Sequence, residues 1–225
     1  MGYESGFKPG IFNGKVFIVT GGGSGIGRCT AHELSSLGAH VVIVGRKIDK
    51  LEKVCREIQD DGGISSPYVC DIRDENLVQS TVQKILFSNG RIDGLVNNAG
   101  GQYRAELKTI SMKGFDAVVR TNLTGGFVFM REVYTQWMEE HGGSIVNIIA
   151  DIWNGWPNFS HSAAARGGML TLTECAATEW VESGVRVNSV APGAIMTSGL
   201  DTYEAKDDEY IKRVPSKVPM QRYGT

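Results

Sequence analysis

The sequence predicts an α/β fold in which parallel strands are joined by helical crossovers, and two patterns along its 225 residues indicate this class. Short runs of β-branched residues alternate with longer segments of helical periodicity, as in successive βαβ units. Several of these runs are apolar at consecutive positions, as expected when helices cover both faces of a sheet. The length fits one such domain, so we predict a single domain over residues 1–225.

The elements follow one another in a regular order along the chain. We expect strands at Val16–Val19, Val41–Val44, Tyr68–Val69, Leu95–Val96, Ile145–Ile149 and Val185–Val190. We expect helices at Ile26–Leu37, Ile48–Asp60, Glu75–Phe87, Phe115–Glu140 and Ser162–Ser183. From Thr197 to Thr225 the chain turns polar and irregular, which is more typical of a flap than of another βαβ unit.

Composition excludes several classes of protein. The formal net charge is −2, so no global basic field favours a nucleic acid or an anionic membrane as partner. No apolar run approaches the ~20 residues that span a bilayer. The four cysteines lie far apart without a CxxC pair, which predicts no metal site, no disulfide framework and a reducing compartment. Glycine is in excess, at 29 residues, and we expect these glycines at specific tight positions.

A glycine-rich loop joins the first strand to the first helix, with the sequence TGGGSGIG from Thr20 to Gly27. Glycines there allow a tight turn and a close backbone approach, while the helix N-terminus offers N–H groups and a positive dipole end to a phosphate. The loop therefore predicts a dinucleotide site. Its expected contacts are Gly21, Gly23, Ser24, Gly25, Ile26 and Gly27.

The end of the second strand indicates which dinucleotide binds. A carboxylate there would bind the ribose 2′-hydroxyl of NAD, but the sequence is Gly45-Arg46-Lys47. Arg46 can bind a 2′-phosphate through two N–H groups, and Lys47 adds a point charge. We therefore predict NADPH as the cofactor. The alternative is a solvated turn that carries two basic residues.

Two further strand ends carry polar residues. Asp71 and Ile72 follow the third strand, where the adenine is expected, although Asp71 could instead cap the next helix. The fourth strand ends in Asn97-Asn98-Ala99-Gly100, a pattern that is hard to explain as a simple turn. We expect Asn98, Ala99 and Gly100 to line the cofactor site.

These motifs together resemble the short-chain dehydrogenase/reductase family, which carries TGxxxGIG, NNAG, a mid-helix asparagine and a late Pro-Gly. Here they are Thr20–Gly27, Asn97–Gly100, Asn122 and Pro192-Gly193. The resemblance implies a Rossmann-like, doubly wound parallel sheet in three layers, and usually a homotetramer. It also implies a nicotinamide beside Thr197, with cofactor contacts from Pro192, Gly193 and Ile195. Such chains usually continue through a further helix and a seventh strand, which would follow Thr225.

The chain departs from the catalytic pattern of that family, which is a serine followed by YxxxK. Ala150 stands in place of the serine, Ser162 in place of the tyrosine and Arg166 in place of the lysine. A serine hydroxyl cannot replace a phenol as an acid at neutral pH, whereas Arg166 retains a cation for the nicotinamide ribose. Reduction of a carbonyl would therefore lack its proton donor.

Reduction of a C=C bond conjugated to a thioester makes a smaller demand. Negative charge spreads onto the thioester oxygen, so hydrogen-bond donors suffice and water can protonate the α-carbon. The segments Gly142–Ile149, His161–Arg166 and Gly100–Gln102 resemble peroxisomal trans-2-enoyl-CoA reductases and the related 2,4-dienoyl-CoA reductases. That resemblance implies that Gln102 holds the thioester carbonyl, that Asn122 belongs to the active site, and that Ser162 hydrogen-bonds the substrate.

The resulting expectation is an NADPH-dependent reductase of trans-2-enoyl-CoA or 2,4-dienoyl-CoA, with an acyl-CoA-type substrate and a cytoplasmic location. This sequence does not end in a peroxisomal address such as SKL, and a peroxisomal location is the alternative if a C-terminal signal is missing from it. The alternatives are a 3-oxoacyl or carbonyl reductase with Tyr103 or Asp151 as substitute acid, and a catalytically degenerate nucleotide-binding protein. His161 has a catalytic or a purely structural explanation. Trp153, Trp156 and Phe159 would line an acyl tunnel or a subunit contact.

Overall fold

The computed structural model describes residues 5–200 and 208–224. The extreme ends of the predicted 1–225 domain and residues 201–207 of the predicted flap lie outside the described residues. The six strands are β1 Val16–Thr20, β2 His40–Gly45, β3 Ile64–Val69, β4 Gly94–Asn97, β5 Gly143–Ile148 and β6 Val185–Val190. The helices are α1 Gly25–Ser36, α2 Ile48–Asp60, α3 Glu75–Asn89, α4 Met112–Val119, α5 Gly125–Val133, α6 Glu139–His141, α7 Ser160–Glu179 and α8 Asp208–Arg213.

The strands form one parallel sheet in the order β3-β2-β1-β4-β5-β6, which confirms the doubly wound α/β prediction. The apolar runs of β1 and β2 are buried because helices cover both faces of the sheet. Pro67 lies in β3, an edge strand, where the missing backbone N–H interrupts no further ladder.

The hydrophobic core is divided by the sheet into two clusters. On one face, Leu51, Val54 and Ile58 of α2 and Ala31 of α1 pack against β1 and β2. The other face is covered by α3, α5 and α7, whose buried residues include Val78, Val82, Val128, Phe129 and Ala176. This arrangement is the three-layer architecture that the resemblance implied.

The predicted single helix over Phe115–Glu140 is wrong in detail. The helical path begins at Met112 and is interrupted by two π-helical turns, Arg120–Thr124 and Tyr134–Met138, which separate α4, α5 and α6. A π-turn widens the helix by one residue and commonly occurs at functional sites. The first of these turns contains Asn122, so the irregularity coincides with a predicted site residue.

Other element boundaries also differ from the predictions. Strand β3 begins four residues before the predicted Tyr68, and α7 begins at Ser160 and ends at Glu179 rather than spanning 162–183. The predicted flap contains α8 and is tied back to the domain, because Gly224 forms a parallel bridge with Ile195.

The topology places the polar strand ends together. Parallel strands end at the same edge of the sheet, and the order reverses between β1 and β4, where the chain turns back across the sheet. Ligands of doubly wound sheets bind in the crevice at this reversal, outside the carboxyl ends of the strands. The glycine loop after β1 and the NNAG segment after β4 flank that crevice.

Candidate active site

The glycine loop is shaped by close backbone contacts. Gly21 has φ +66 and Gly25 has φ +53, left-handed values that favour glycine. A Cβ atom at Gly21 would lie 2.9 Å from the Ala99 Cα, and one at Gly27 would lie 2.5 Å from the Gly21 carbonyl oxygen. Side chains at these positions would collide with the protein's own atoms, so the tight turn requires glycine, as in loops that bring backbone N–H groups close to a dinucleotide pyrophosphate.

The start of α1 supplies anion-binding groups beside that loop. Ser24 is the N-cap residue, but its hydroxyl makes no capping bond, and it is exposed. The first-turn N–H groups of a helix have no intrahelical acceptors, so Gly25, Ile26 and Gly27 present donors at the positive end of the helix dipole. These residues could hold a phosphate with Ser24.

The two asparagines of the NNAG segment have different roles. Asn98 donates from Nδ2 to the Thr20 carbonyl oxygen at 2.9 Å, and its backbone N–H donates to Thr20 Oγ1 at 3.0 Å. Asn98 thus holds the glycine loop in place. Asn97 is buried and donates to the Gly126 carbonyl oxygen and to Asn147 Oδ1, so it ties β4 to α5 and β5.

The basic end of β2 lies exposed at the edge of the crevice. Arg46 and Lys47 are exposed, and within residues 5–200 and 208–224 neither forms an ion pair. They are available to a phosphate. Nearby, Asp71 accepts three hydrogen bonds from two nitrogens of the Arg73 side chain, which hold the pKa of Asp71 down to about 2.

The alternative role of Asp71 as a helix cap is wrong, because Asp74 caps α3 by accepting from the Leu77 N–H at 3.0 Å. Ile72 is 7% exposed, and its side chain packs against Gly125 at the start of α5. Asp71 and Ile72 therefore lie at the end of β3, on the side of the crevice that also carries Arg46.

The segment after β6 lies against the glycine loop at the start of α1. It runs from Pro192 and Gly193 through Ile195 to Thr197, and a Cβ atom at Gly25 would lie 3.3 Å from the Thr197 Cβ. Ala194 and Met196 are hydrogen-bonded to Gly224, which anchors this segment. The structure thus brings Thr197 to the start of α1, the position predicted for a cofactor contact.

A chain of hydrogen bonds joins the predicted catalytic residues, and its direction is fixed. The Gly101 N–H donates to Asn122 Oδ1 at 2.9 Å, so the amide of Asn122 must donate from Nδ2, which it does to Ser162 Oγ at 3.1 Å. Ser162 in turn donates its hydroxyl proton to Gln102 Oε1 at 2.7 Å. We call Gly101, Asn122, Ser162 and Gln102 the polar relay.

The relay determines which atoms can face a ligand. Because Gln102 Oε1 accepts from Ser162, the side-chain amide of Gln102 acts as a donor through Nε2. Ser162 is fully buried and its proton is directed to Gln102, so the residue in the tyrosine position orients the amide. Asn122 occupies the π-helical turn, which turns its side chain toward α7.

Arg166 lies one helical turn beyond Ser162. It donates from Nη1 to the Ile148 carbonyl oxygen at 2.6 Å, and its other terminal nitrogen lies against Gly100, where any Cβ atom would collide with it. Burial lowers the pKa of Arg166 to about 10, so the side chain remains a cation at pH 7. This charge is held at the end of β5 without a carboxylate partner among the described residues.

The remaining candidate residues lie around the relay. Tyr103 packs edge-on against His161 with ring centroids 4.5 Å apart, and its hydroxyl lies against Gly114 in α4. Asp151 is exposed, so the desolvation that an acid role requires is missing. Phe159 is buried against the partly buried Trp156, while Trp153 is 64% exposed.

Sequence reasoning missed three participants in the site. They are the Gly101 N–H, the Ile148 carbonyl oxygen and Arg73. The first two are backbone groups that no residue-type pattern can reveal. Arg73 stands two residues after Asp71, a spacing that an ion-pair search of the third strand end would have found.

Comparison with known proteins identifies the family of the chain. The family model described as short chain dehydrogenase matches residues 15–208. A Bacillus subtilis strain 168 protein named as a probable 2,4-dienoyl-CoA reductase is 32% identical over 94% of this chain and 84% of its own length. A Thermotoga maritima 3-oxoacyl-(acyl-carrier-protein) reductase is 33% identical over 94% of this chain and 85% of its own length.

Solved structures give the same grouping. The citronellol catabolism dehydrogenase AtuB of Pseudomonas aeruginosa PAO1 is 54% identical, with a TM-score of 0.87 over 99% of this chain and 86% of that chain. A structure from Beutenbergia cavernae with bound NADP is 34% identical, with a TM-score of 0.87 over 97% of this chain and 87% of that chain. Within the described part of this chain, no helix is long and apolar enough to cross a membrane.

Proposed function

This chain belongs to the short-chain dehydrogenase family, and from that membership we propose that it is an NADPH-dependent reductase of the C=C bond of an enoyl-CoA-like thioester. The observation that carries the proposal is the direction of the polar relay. It ends on the amide of Gln102, a neutral donor, and the residue in place of the family's acid gives its proton to that amide. Such a site is suited to an oxyanion better than to protonation of an alkoxide.

The chemistry divides between a bound cofactor and the chain's own residues. A reduced nicotinamide would supply a hydride to the β-carbon. Gln102 Nε2 then donates to the thioester oxygen, on which the negative charge of the enolate accumulates. The relay keeps the amide group of Gln102 from rotating and exchanging its oxygen and nitrogen. Arg166 adds a fixed positive charge at the end of β5, where it is bonded to the Ile148 carbonyl oxygen. Water protonates the α-carbon.

The choice of NADPH is supported by the exposed doublet at the end of β2. Arg46 and Lys47 stand where an acidic residue would select NAD, and both are available to an anion. The glycine loop would hold the pyrophosphate, Thr197 would lie beside the nicotinamide, and Asp71 and Ile72 would hold the adenine. The 2′-phosphate then distinguishes the two cofactors through charge.

The main rival is a carbonyl or 3-oxoacyl reductase, which the Thermotoga relative exemplifies by name. That reaction needs an acid at the substrate oxygen. Tyr103, the nearest phenol along the chain, directs its hydroxyl to Gly114 in α4, and Asp151 is exposed. A catalytically degenerate nucleotide-binding protein is the second rival, and it predicts tight NADPH binding without turnover.

The relative that is named a citronellol catabolism dehydrogenase suggests a second substrate class. At 54% identity it extends the proposal to branched, acyclic terpenoid compounds. Oxidation of an alcohol such as citronellol would need a base in the position of Ser162, whose proton is committed to Gln102. A terpenoid thioester with a conjugated C=C bond meets the same demands as a linear enoyl-CoA.

We further propose a cytoplasmic homotetramer. The four cysteines are free thiols, as suits a reducing compartment. Phe127 of α5 is exposed, and the Arg131 guanidinium lies 5.6 Å from the centre of its ring, so this helix offers an apolar and cationic contact surface. Light scattering coupled to size-exclusion chromatography measures the assembly.

The test follows NADPH absorbance with four substrates in parallel, trans-2-hexenoyl-CoA, 2,4-hexadienoyl-CoA, 3-oxohexanoyl-CoA and a branched terpenoid enoyl-CoA, with citronellol and NADP+ in the reverse direction. We expect oxidation of NADPH with one or more of the unsaturated thioesters. Turnover confined to the 3-oxo compound or to citronellol would contradict the proposal. NADPH binding with no turnover of any of them would favour the degenerate protein.

A further inference from the structure

His161 is a buried side chain that the proposed mechanism does not use. Its side chain is fully buried, and neither ring nitrogen makes a hydrogen bond of ordinary geometry in the described part of the chain, although the Phe159 backbone lies close enough to act on the ring. A buried polar group without a partner costs about 1–3 kcal/mol, so a partner is expected in some state of the protein. His161 is the second residue of α7 and immediately precedes Ser162 of the polar relay.

One side chain that covers this imidazole is Tyr103, whose ring centroid lies 4.5 Å away. The two rings meet edge to face at 82°, and Tyr103 is 39% exposed whereas His161 is inaccessible. Tyr103 belongs to a segment without regular secondary structure that follows Gly100 and Gly101. Two neighbouring pairs therefore join this segment to α7, Gln102 to Ser162 and Tyr103 to His161.

The imidazole is a neutral group. Burial lowers the pKa of His161 below its ordinary value, although the nearby Phe159 backbone partly opposes that shift. The positive end of the α7 dipole also disfavours a second proton on the ring. A neutral imidazole carries one N–H donor and one acceptor, so it can donate to an oxyanion without charge of its own.

We infer that His161 is a second oxyanion donor, which a thioester substrate uncovers by displacing the Tyr103 ring. The inference rests on the proposed function, because the oxygen concerned is that of the thioester held by Gln102. Two neutral donors, Gln102 at one end of the Gln102–Ser162 hydrogen bond and His161 next to the other end, would then share the enolate charge.

The variant His161→Phe separates this role from a structural one. Phenylalanine keeps the ring contact with Tyr103 and removes the unpartnered nitrogens, so a purely structural His161 predicts an unchanged kcat and an equal or higher Tm. We expect an equal or higher Tm together with a loss in kcat of about 100-fold, as when an oxyanion donor is removed. The NADPH dissociation constant should stay within about twofold of the wild-type value.

Rescue and spectroscopy complete the test. His161→Gln should recover kcat to within about 10-fold of wild type, because its amide restores an N–H donor. His141→Phe makes the same exchange at an exposed histidine of α6 that bonds the Trp137 carbonyl oxygen outside the site, and it should leave kcat unchanged. With only four histidines in the chain, imidazole ¹⁵N shifts are assignable, and His161→Phe identifies the signal. We expect that signal alone to move when hexanoyl-CoA is added with NADP+.

The outcomes are distinguishable. Full kcat in His161→Phe overturns the inference and leaves the proposed function standing. Failure of the wild-type protein to reduce any enoyl-CoA overturns the proposed function instead. In that case the ¹⁵N titration still decides, since an unmoved His161 signal rejects thioester binding at the imidazole.

Discussion

The cofactor half of the site is formed mainly by backbone, whereas the substrate half is formed mainly by side chains. The cofactor half, from the glycine loop to Thr197, is formed largely by backbone in positions that exclude a Cβ atom. The substrate half, from Gly100 to Tyr103 and along α7, depends on side chains linked in one hydrogen-bonded direction. The first half retains the family's pattern and the second departs from it. Backbone sites tolerate little change, whereas a relay of side chains can be rebuilt for new chemistry.

The largest expected effect tests the backbone half. Gly21→Ala should weaken NADPH binding by about 100-fold, or about 3 kcal/mol, because its Cβ atom would push against the Ala99 backbone and misdirect the loop N–H groups. Gly62→Ala is the matched control, since Gly62 also has a left-handed φ, +82, but has open space around it. Fluorescence titration with NADPH measures both. Equal losses would mean that backbone strain alone is responsible.

The second prediction tests the relay. Ser162→Ala should lower kcat about 30-fold with trans-2-hexenoyl-CoA, because Gln102 loses the donor that orients its amide. Asn122→Asp should do the same, since a carboxylate can only accept and would draw the Ser162 proton away from Gln102. Ser160→Ala, in the first turn of the same helix, is the control.

The double variant, with both Ser162 and Asn122 replaced, tests whether the two residues act together. Because both act on the orientation of one amide, Ser162→Ala with Asn122→Asp should be little worse than either alone. Multiplicative losses in kcat would show that the two residues act independently, which is contrary to a single relay. The NADPH dissociation constant should be unaffected in each variant.

A smaller effect is expected at the edge of the backbone half. Arg46→Asp should lower the preference for NADPH over NADH by about 10-fold, because it replaces a fork-shaped phosphate donor with a carboxylate. Arg56→Asp makes the same charge change on an exposed face of α2 and should leave the preference intact. The ratio of kcat/KM values for the two cofactors is the measurement. An unchanged ratio in Arg46→Asp would remove the basic doublet from cofactor selection.

The smallest effect concerns the Asp71–Arg73 ion pair. The folded-state pKa of Asp71 is depressed to about 2, so the pair stabilises the protein above the unfolded-state pKa of about 3.9 and that stabilisation is lost as pH falls toward 2. Both side chains are about one-third exposed, so solvent screening limits the contribution to about 0.5 kcal/mol. Urea denaturation of Asp71→Asn should show this deficit at pH 7 and a shrinking one below pH 4. A constant deficit would contradict the ion-pair account.

The same contrast explains what the sequence could predict. The strand order and the glycine loop follow from local patterns, since β-branched runs, crossover helices and a glycine turn are each encoded in a few consecutive residues. The relay is not local, because Asn122 meets Gly101 and Ser162 across 21 and 40 positions of the chain. Motif resemblance brought Gln102, Asn122 and Ser162 to attention, but the direction of their hydrogen bonds depends on a backbone N–H.

Two errors in the predicted elements have the same origin. The helix over Phe115–Glu140 has a continuous helical pattern, and residue propensities do not distinguish a π-turn from an α-turn at Asn122. The cap of α3 was assigned to Asp71 as one alternative, although Asp74 performs it. Both aspartates precede the helix, and their partners separate their roles: Asp71 pairs with Arg73, whereas Asp74 accepts from the Leu77 N–H.

The N–H of Gly101 has a consequence for how this site can evolve. Nineteen of the twenty amino acids supply this donor and only proline lacks it, and the space beside Gly101 is open to a side chain. Mutational drift at position 101 can therefore change what the substrate meets while the relay keeps its direction. Substitution of Asn122 or Ser162 would instead interrupt the relay or reverse its direction. Position 101 can therefore acquire a new side chain, and with it a new substrate specificity, while its backbone N–H still sets the direction of the relay.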